Sequence, residues 1–218
     1  MESTKNIISN RYFVIPKNQR GFSWTEKELE ELKCDLELAV PKAHYLGPII
    51  VTGDESGNLT EDNCRPANKC ILEDGQQRIT AFFLLLRALE EQLISLNGGD
   101  PNIESEEIHS LLYYKKGGDK IRLQNDNPAL QACFAHLMDG SQPLPDGPTA
   151  PMRALVKASS WCHGFAEKLD EPECLKWKNR LTHQALFILV DLDQAGVDRY
   201  LTFDAINSRG LPLSQFDK

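Results

Sequence analysis

An α+β fold is what this amino-acid sequence predicts, and two observations carry the prediction. Short runs rich in β-branched and aromatic residues, bounded by Pro and Gly, alternate with longer stretches in which apolar residues recur at helical spacing. One such run passes through Asp74-Gly75 directly into an apolar helix, so strand and helix must share a core. The first half of the chain mixes both kinds of element, whereas the second half is mainly helical.

In order, Arg11 to Ile15 reads as a strand stopped by Pro16, followed by the polar, irregular segment Lys17 to Ser23. Thr25 and Glu28 form a capping box for a helix on which Leu29, Leu32, Leu36 and Ala39 repeat, ended by Pro41. Pro48 to Thr52 and Lys69 to Glu73 read as two strands joined by a polar surface loop, Gly53 to Asn68. Ile79, Phe82, Leu86, Leu89 and Leu93 then line one face of a core helix ending at Asn97 to Asp100. Ile108 to Tyr114 and Lys120 to Gln124 are expected to pair as a hairpin around Lys116 to Gly118, and Pro128 to Met138 as a helix. Residues 139–151, rich in Pro and Gly, read as a loop or linker. Helices over 152–169 and 172–182, a buried strand from Ala185 to Val190 and a short helix from Val197 to Ile206 complete the pattern. The expected organisation is thus a core over 1–138, the linker, and a mainly helical part with one strand over 152–218, packing back on the core. Ser214 and Asp217 resemble a helix cap with only Lys218 after it, so the sequence reads as the N-terminal piece of a longer protein.

Composition narrows the function. With 218 residues, 41% hydrophobic and 26% charged, the chain has the make-up of a globular protein with a real core. The longest apolar run, Ala81 to Leu86, is far short of a membrane span and the N-terminus lacks a signal pattern, so a cytoplasmic protein is expected. A net charge of −8 argues against a broad basic face for duplex DNA and leaves room for a local basic pocket. The six cysteines are scattered and include no Cys-x-x-Cys pair, which fits reduced thiols. Cys162, His163, Cys174 and His183 match no common zinc spacing and read as packed helix, and Cys64 and Cys70 flank a loop across which oxidation can bridge them.

Three segments carry candidate chemistry. In Asp74-Gly75-Gln76-Gln77-Arg78 a helix N-terminus offers free N–H groups and a positive dipole end, Gly75 allows close backbone approach, and Arg78 adds a guanidinium with no obvious neutralising acid. A plain capping box formed by Asp74 and Gln77 explains the same letters. Glu73 and Asp74 are placed to hold magnesium with phosphate oxygens, or simply to face solvent and cap the helix. Gln19 and Arg20 put a second amide and guanidinium on an irregular segment, where Phe22 and Trp24 equally serve as a hydrophobic staple. Asn207, Ser208, Arg209 and Gly210 end a helix and expose polar groups there. Asp191 and Asp193 close the last strand and face either a cleft or water.

Taken together, the three segments resemble the family catalogued as domain of unknown function 262, the N-terminal half of modification-dependent restriction enzymes of the GmrS type and of related phage-defence proteins. Its hallmarks, Ile-Pro-x-Tyr-Gln-Arg-x-Tyr-x-Trp, Asp-Gly-Gln-Gln-Arg and Phe-x-x-x-Asn-x-x-Gly-x-x-Leu-Ser-x-x-Asp, stand here as Ile15 to Trp24, Asp74 to Arg78 and Phe203 to Asp217. Tyr45 to Ile50 resembles the family's strand before the long loop. The sequence departs from the pattern at Asn18 and Phe22, where the family has tyrosine, and this bears on turnover more than on phosphate binding.

The resemblance implies a ParB/sulfiredoxin-like small mixed sheet with packed helices, and hydrolysis of a nucleoside triphosphate (GTP, ATP or CTP) with Mg2+. Arg78, Gln77 and Asp74 are then the expected catalytic residues. Gly75, Gln76, Gln19, Arg20, Asn207, Arg209 and Gly210 are expected to bind the nucleotide. The expected partners are nucleotide, DNA (modified DNA included) through the full-length protein, and a second copy of the chain, with no membrane. Nuclease chemistry is not expected of this chain. A non-hydrolysing sensor of modified DNA or nucleotide is the alternative, and a toxin–antitoxin or scaffold component a further one.

Overall fold

The computed structural model describes residues 1–38, 43–53, 59–60, 66–115 and 119–193. The chain begins with β1 (Glu2–Ser3) and α1 (Thr4–Ser9), which no sequence signal announces, then β2 (Arg11–Ile15), α2 (Glu26–Leu38) and β3 (His44–Gly53). There follow β4 (Leu59–Thr60), β5 (Pro66–Asp74), α3 (Gln76–Leu96), α4 (Ile103–Leu112), β6 (Tyr113–Lys115), β7 (Asp119–Ile121) and β8 (Leu123–Asn125). Last come α5 (Pro128–Asp139), α6 (Ala150–Ala166), α7 (Glu171–Asn179), a π-helical turn (Arg180–Gln184) and β9 (Ala185–Asp191).

The fold is mixed α+β, as expected. One sheet runs β1-β9-β3-β5-β2-β8, with β4 pairing β5 off that path. Pairing is antiparallel for β1/β9 and β3/β5 and parallel for β9/β3, β5/β2 and β2/β8. The strand late in the sequence, β9, therefore inserts between β1 and β3, with β3 separating it from β5, the strand that runs into the motif. The helix after the motif is the hub. Of its 21 residues 14 are buried, and an apolar helix buried nearly all round belongs to the middle of a core rather than to a surface stripe. Phe82 meets Phe187 of β9 edge-on at 5.5 Å, and Phe83 packs on Phe134 of α5 at 6.5 Å.

Three expectations are corrected. Residues 108–112, read as strand, are the end of α4. Asn102 and Ser105 cap one another reciprocally at its start, and Ile108, Leu111 and Leu112 share the i, i+3, i+4 spacing of a buried helical face. The hairpin survives only as Tyr113–Lys115 against Asp119–Ile121. The run Lys120 to Gln124 also splits, because Arg122 marks a change of sheet. Its N–H donates to Leu112, its carbonyl accepts from Phe13, and its Nε donates to the Tyr113 carbonyl. The helix expected over 172–182 stops at Asn179 and continues as the π-helical turn. Val197 to Ile206 and the end of the first helix at Ala39 to Pro41 lie outside the described residues.

Candidate functional site

The motif begins where β5 ends. Gly75 sits between strand and helix at φ 94°, a left-handed conformation in which a side chain is strained, and it rather than Asp74 is the residue before the first helical turn. No side chain caps this helix. The capping-box reading of Asp74 and Gln77 is therefore overturned: both side chains are used elsewhere.

Gln77, 6% exposed, turns away from the helix end and spans the irregular segment. Its carbonyl oxygen accepts from the Ser23 N–H at 2.8 Å and its amide donates to the Gly21 carbonyl at 3.1 Å, so one side chain stands in for a strand's pair of backbone bonds. Gln76 donates to the Gln19 side-chain oxygen at 3.3 Å, while Gln19 donates to the Glu73 carbonyl at 3.0 Å. Gln19, Gln76 and Gln77 thus lock the segment after β2 against the strand–helix junction. They are legible in the sequence as polar residues in special places; the partners they bond to are not.

Arg78 is held more tightly than the sequence implies. Its guanidinium donates to the carbonyls of Leu46 at 2.6 Å and Pro48 at 2.8 Å, and Asp74 lies 3.4 Å from it. Burial pulls its pKa down, and the Asp74 carboxylate opposes that pull. The expectation of an unneutralised guanidinium is thus corrected, since Asp74, one turn earlier, faces it. Gly47 (φ 108°) makes room, since a Cβ there would lie 2.0 Å from Nη1 of Arg78. Arg78 is consequently a clamp from the motif helix onto β3 where that strand is irregular, the register shifting between Tyr45 and Pro48.

Two cations without a partner among the described residues lie on the segment that the glutamines brace. Arg20 and Lys17 are exposed, and neither has a hydrogen-bond or ion-pair partner among the described residues. Arg20 borders a water-sized void of about 20 Å³ together with Gln76, Gln77 and Asn125. Lys17 and Gln19 line a neighbouring cleft of about 280 Å³ with Asn125, Asn127 and Thr149, and the two share Gly21, Asn125 and Leu130. Asn125 and Asn127 spend their oxygens on the turn into α5, accepting from Asn127 N–H and from the first N–H groups of that helix. Their NH2 groups have no partner among the described residues. Lys17 and these asparagines are functional candidates that no local pattern singles out, because β8 and α5 reach the segment only through the fold.

Glu73 accepts from the Thr52 hydroxyl at 3.2 Å, and Asp74 serves Arg78. Among the described residues no group of three or more His, Cys, Asp or Glu is arranged to hold a metal ion. Cys70, Cys133, Cys162 and Cys174 are buried free thiols, and burial raises those of Cys70 and Cys174 to about 11. Asp191 accepts from the Asp193 N–H and so shapes the turn after β9. Cys64, Asn207, Arg209 and Gly210 lie outside the described residues.

What the fold and motif define is a mixed-sheet α+β domain in which buried amides and an arginine clamp brace a polar segment against a strand–helix junction. The chain belongs to the family described as the GmrSD restriction endonuclease N-terminal domain, whose model matches residues 4–218. No curated protein is similar enough to count as a match. Among the described residues no helix is long and apolar enough to cross a membrane.

Proposed function

We propose that this domain binds a nucleoside triphosphate by its phosphates, at the cleft beside Gln19 and Arg20, as part of a restriction or phage-defence protein acting on DNA. One observation carries the reading: two cations without a partner among the described residues, Lys17 and Arg20, border neighbouring voids whose other polar side chains are amides and the hydroxyls of Thr80 and Thr149, with no carboxylate among them. Cations and NH2 donors around a concavity are what an oxyanion requires. A volume of about 280 Å³ suits the polyphosphate part of the ligand, with base and ribose directed outward.

In this proposal Arg20 and Lys17 meet the phosphates and Gln19 and Gln76 orient them, while Gly75 lets the helix start pack closely on Ile49 of β3 and so sets where Gln76 stands. Gln77 and Arg78 act as positioning residues through the segment and β3, and Asp74 acts through Arg78. Magnesium, which neutralises phosphate oxygens when bound, would enter with the nucleotide. Asn207, Arg209 and Gly210 are proposed to close the site on the strength of the family pattern alone.

Binding and turnover separate in the test. Calorimetric titration with GTP, ATP and CTP in the presence of Mg2+ is expected to show binding of at least one, lost in Arg20→Ala with an unchanged melting temperature. Release of inorganic phosphate then decides between a hydrolase and a sensor. The engagement of Arg78 by two carbonyls and Asp74 favours the sensor, since a charge-stabilising guanidinium would have to leave those partners. No affinity for any of the three nucleotides would sink the proposal.

A further inference from the structure

We infer a second site, in the cleft between the start of α2 and α6, that takes an unpaired nucleic-acid strand with a base stacked on Trp24. This cleft has a volume of about 430 Å³, and Trp24 lines it with Lys27, Arg153 and Lys157 against the single carboxylate of Glu26. Three cations against one acid is a local reversal of sign in a chain of net charge −8.

The rest of the wall explains why the arrangement persists. Trp24 packs partly against the core and tilts toward Phe22 at 6.5 Å, so its indole is held rather than free to fold onto the surface. Glu28, whose acid could compete, turns back to the Thr25 N–H and hydroxyl at 2.6 Å. Lys157 is exposed with no partner among the described residues, and Arg153 gives one nitrogen to the Pro148 carbonyl. Lys27 has only a long ion pair with Glu31 at 3.8 Å, too weak in water to occupy it. A fixed aromatic face flanked by uncommitted cations is how proteins hold unpaired strands: the ring stacks a base and the cations follow the phosphates. A duplex hides its bases from such a ring, and an acidic peptide uses the cations but has no need of the indole.

The site is independent of the nucleotide proposal, because it draws on Trp24, Arg153 and Lys157 rather than Lys17 and Arg20. The test uses the 218-residue chain with a fluorescein-labelled oligo-thymidylate, its duplex form and a poly-glutamate peptide, followed by anisotropy across a salt series. The expected result is binding of the single strand in preference to the other two, with quenching of tryptophan emission that Trp24→Phe reduces. Trp24→Leu is expected to weaken binding about tenfold, within the range of one stacked base. The exposed pair Arg153→Ala and Lys157→Ala lowers the salt slope by about 1 per residue. Melting temperatures separate loss of the site from loss of the fold; if Trp24→Leu is unfolded, the quench in wild type and its reduction in Trp24→Phe decide. Absence of single-strand binding, equal binding of the duplex, or equal binding of the acidic peptide each overturns the inference.

Discussion

Replacing Arg78 with alanine is expected to damage the fold before it damages any ligand site. The side chain is 21% exposed and donates to two main-chain carbonyls, Leu46 and Pro48, and alanine offers neither of them a donor. Hydrogen bonds from a charged donor contribute about 1.5–3 kcal/mol each. Partial exposure places these two at the lower end, for a total of about 3 kcal/mol; the 3.4 Å contact with Asp74 adds little. For a domain of this size that is a fall in melting temperature of about 6–12 °C. Arg78→Lys, with a charge but no planar fork, is expected to lie between the two. Gly47→Ala puts a methyl group where Nη1 now sits, so combined with Arg78→Ala it should cost less than the sum of the single changes. Urea and thermal unfolding of the four variants measure all of this. An Arg78→Ala protein that melts like wild type yet fails to bind nucleotide would refute the clamp and return Arg78 to the ligand.

Three further outcomes follow from the same structure. Gln77→Leu removes both bonds to the irregular segment and is expected to cost about 2 kcal/mol, with faster amide exchange at Ser23; unchanged exchange there would contradict the role given to Gln77. Lys178, then Lys5, holds the Glu107 carboxyl well below its ordinary 4.5, at about 2. A depressed carboxyl adds stability above its unfolded pKa that is lost as pH falls, so acid destabilisation between about pH 4.5 and 2 should shrink in Glu107→Gln. His109 is raised above 6.5 chiefly by its bond to buried Glu90 at 2.7 Å, and His163 by Glu91 at 2.8 Å. A raised histidine stabilises fully below 6.5 and loses that contribution as pH climbs through the folded value, so the melting temperature should decline on the alkaline side of 6.5 and decline less in His109→Gln.

Much of the fold was legible because its elements follow local rules. The strand at Arg11 to Ile15, the capping pair Thr25 and Glu28, the apolar helix after the motif and the strand at Ala185 to Val190 each declare themselves by period or cap, and each stands where it was expected. What local rules missed was decided by tertiary context. Ile108 to Leu112 carries an apolar pattern short enough to suit strand or helix, and the cap at Asn102, six residues earlier, settles it. Arg122 divides one apparent strand in two because its backbone serves two neighbours at once.

The motif shows the same division. Its importance could be read from Gly75 and the run of amides, since such residues rarely sit idle between a strand and a buried helix. The assignment of roles could not, because a guanidinium at a helix start and one clamped to a strand are spelled with the same letters. Only the fold brings Leu46 and Pro48 to Arg78, and Asn125 and Asn127 to the cleft of Lys17 and Gln19.

In the proposed site Arg20 and Lys17 recognise phosphate, while Arg78 secures the scaffold. One calorimetric series separates these roles: each of GTP, ATP and CTP, with Mg2+, titrated into wild type, Arg20→Ala and Arg78→Lys below their melting temperatures. The expected result is binding to wild type, loss of binding in Arg20→Ala at full stability, and retained binding in a less stable Arg78→Lys. Binding that survives in Arg20→Ala but vanishes in a stable Arg78→Lys would reverse the two roles.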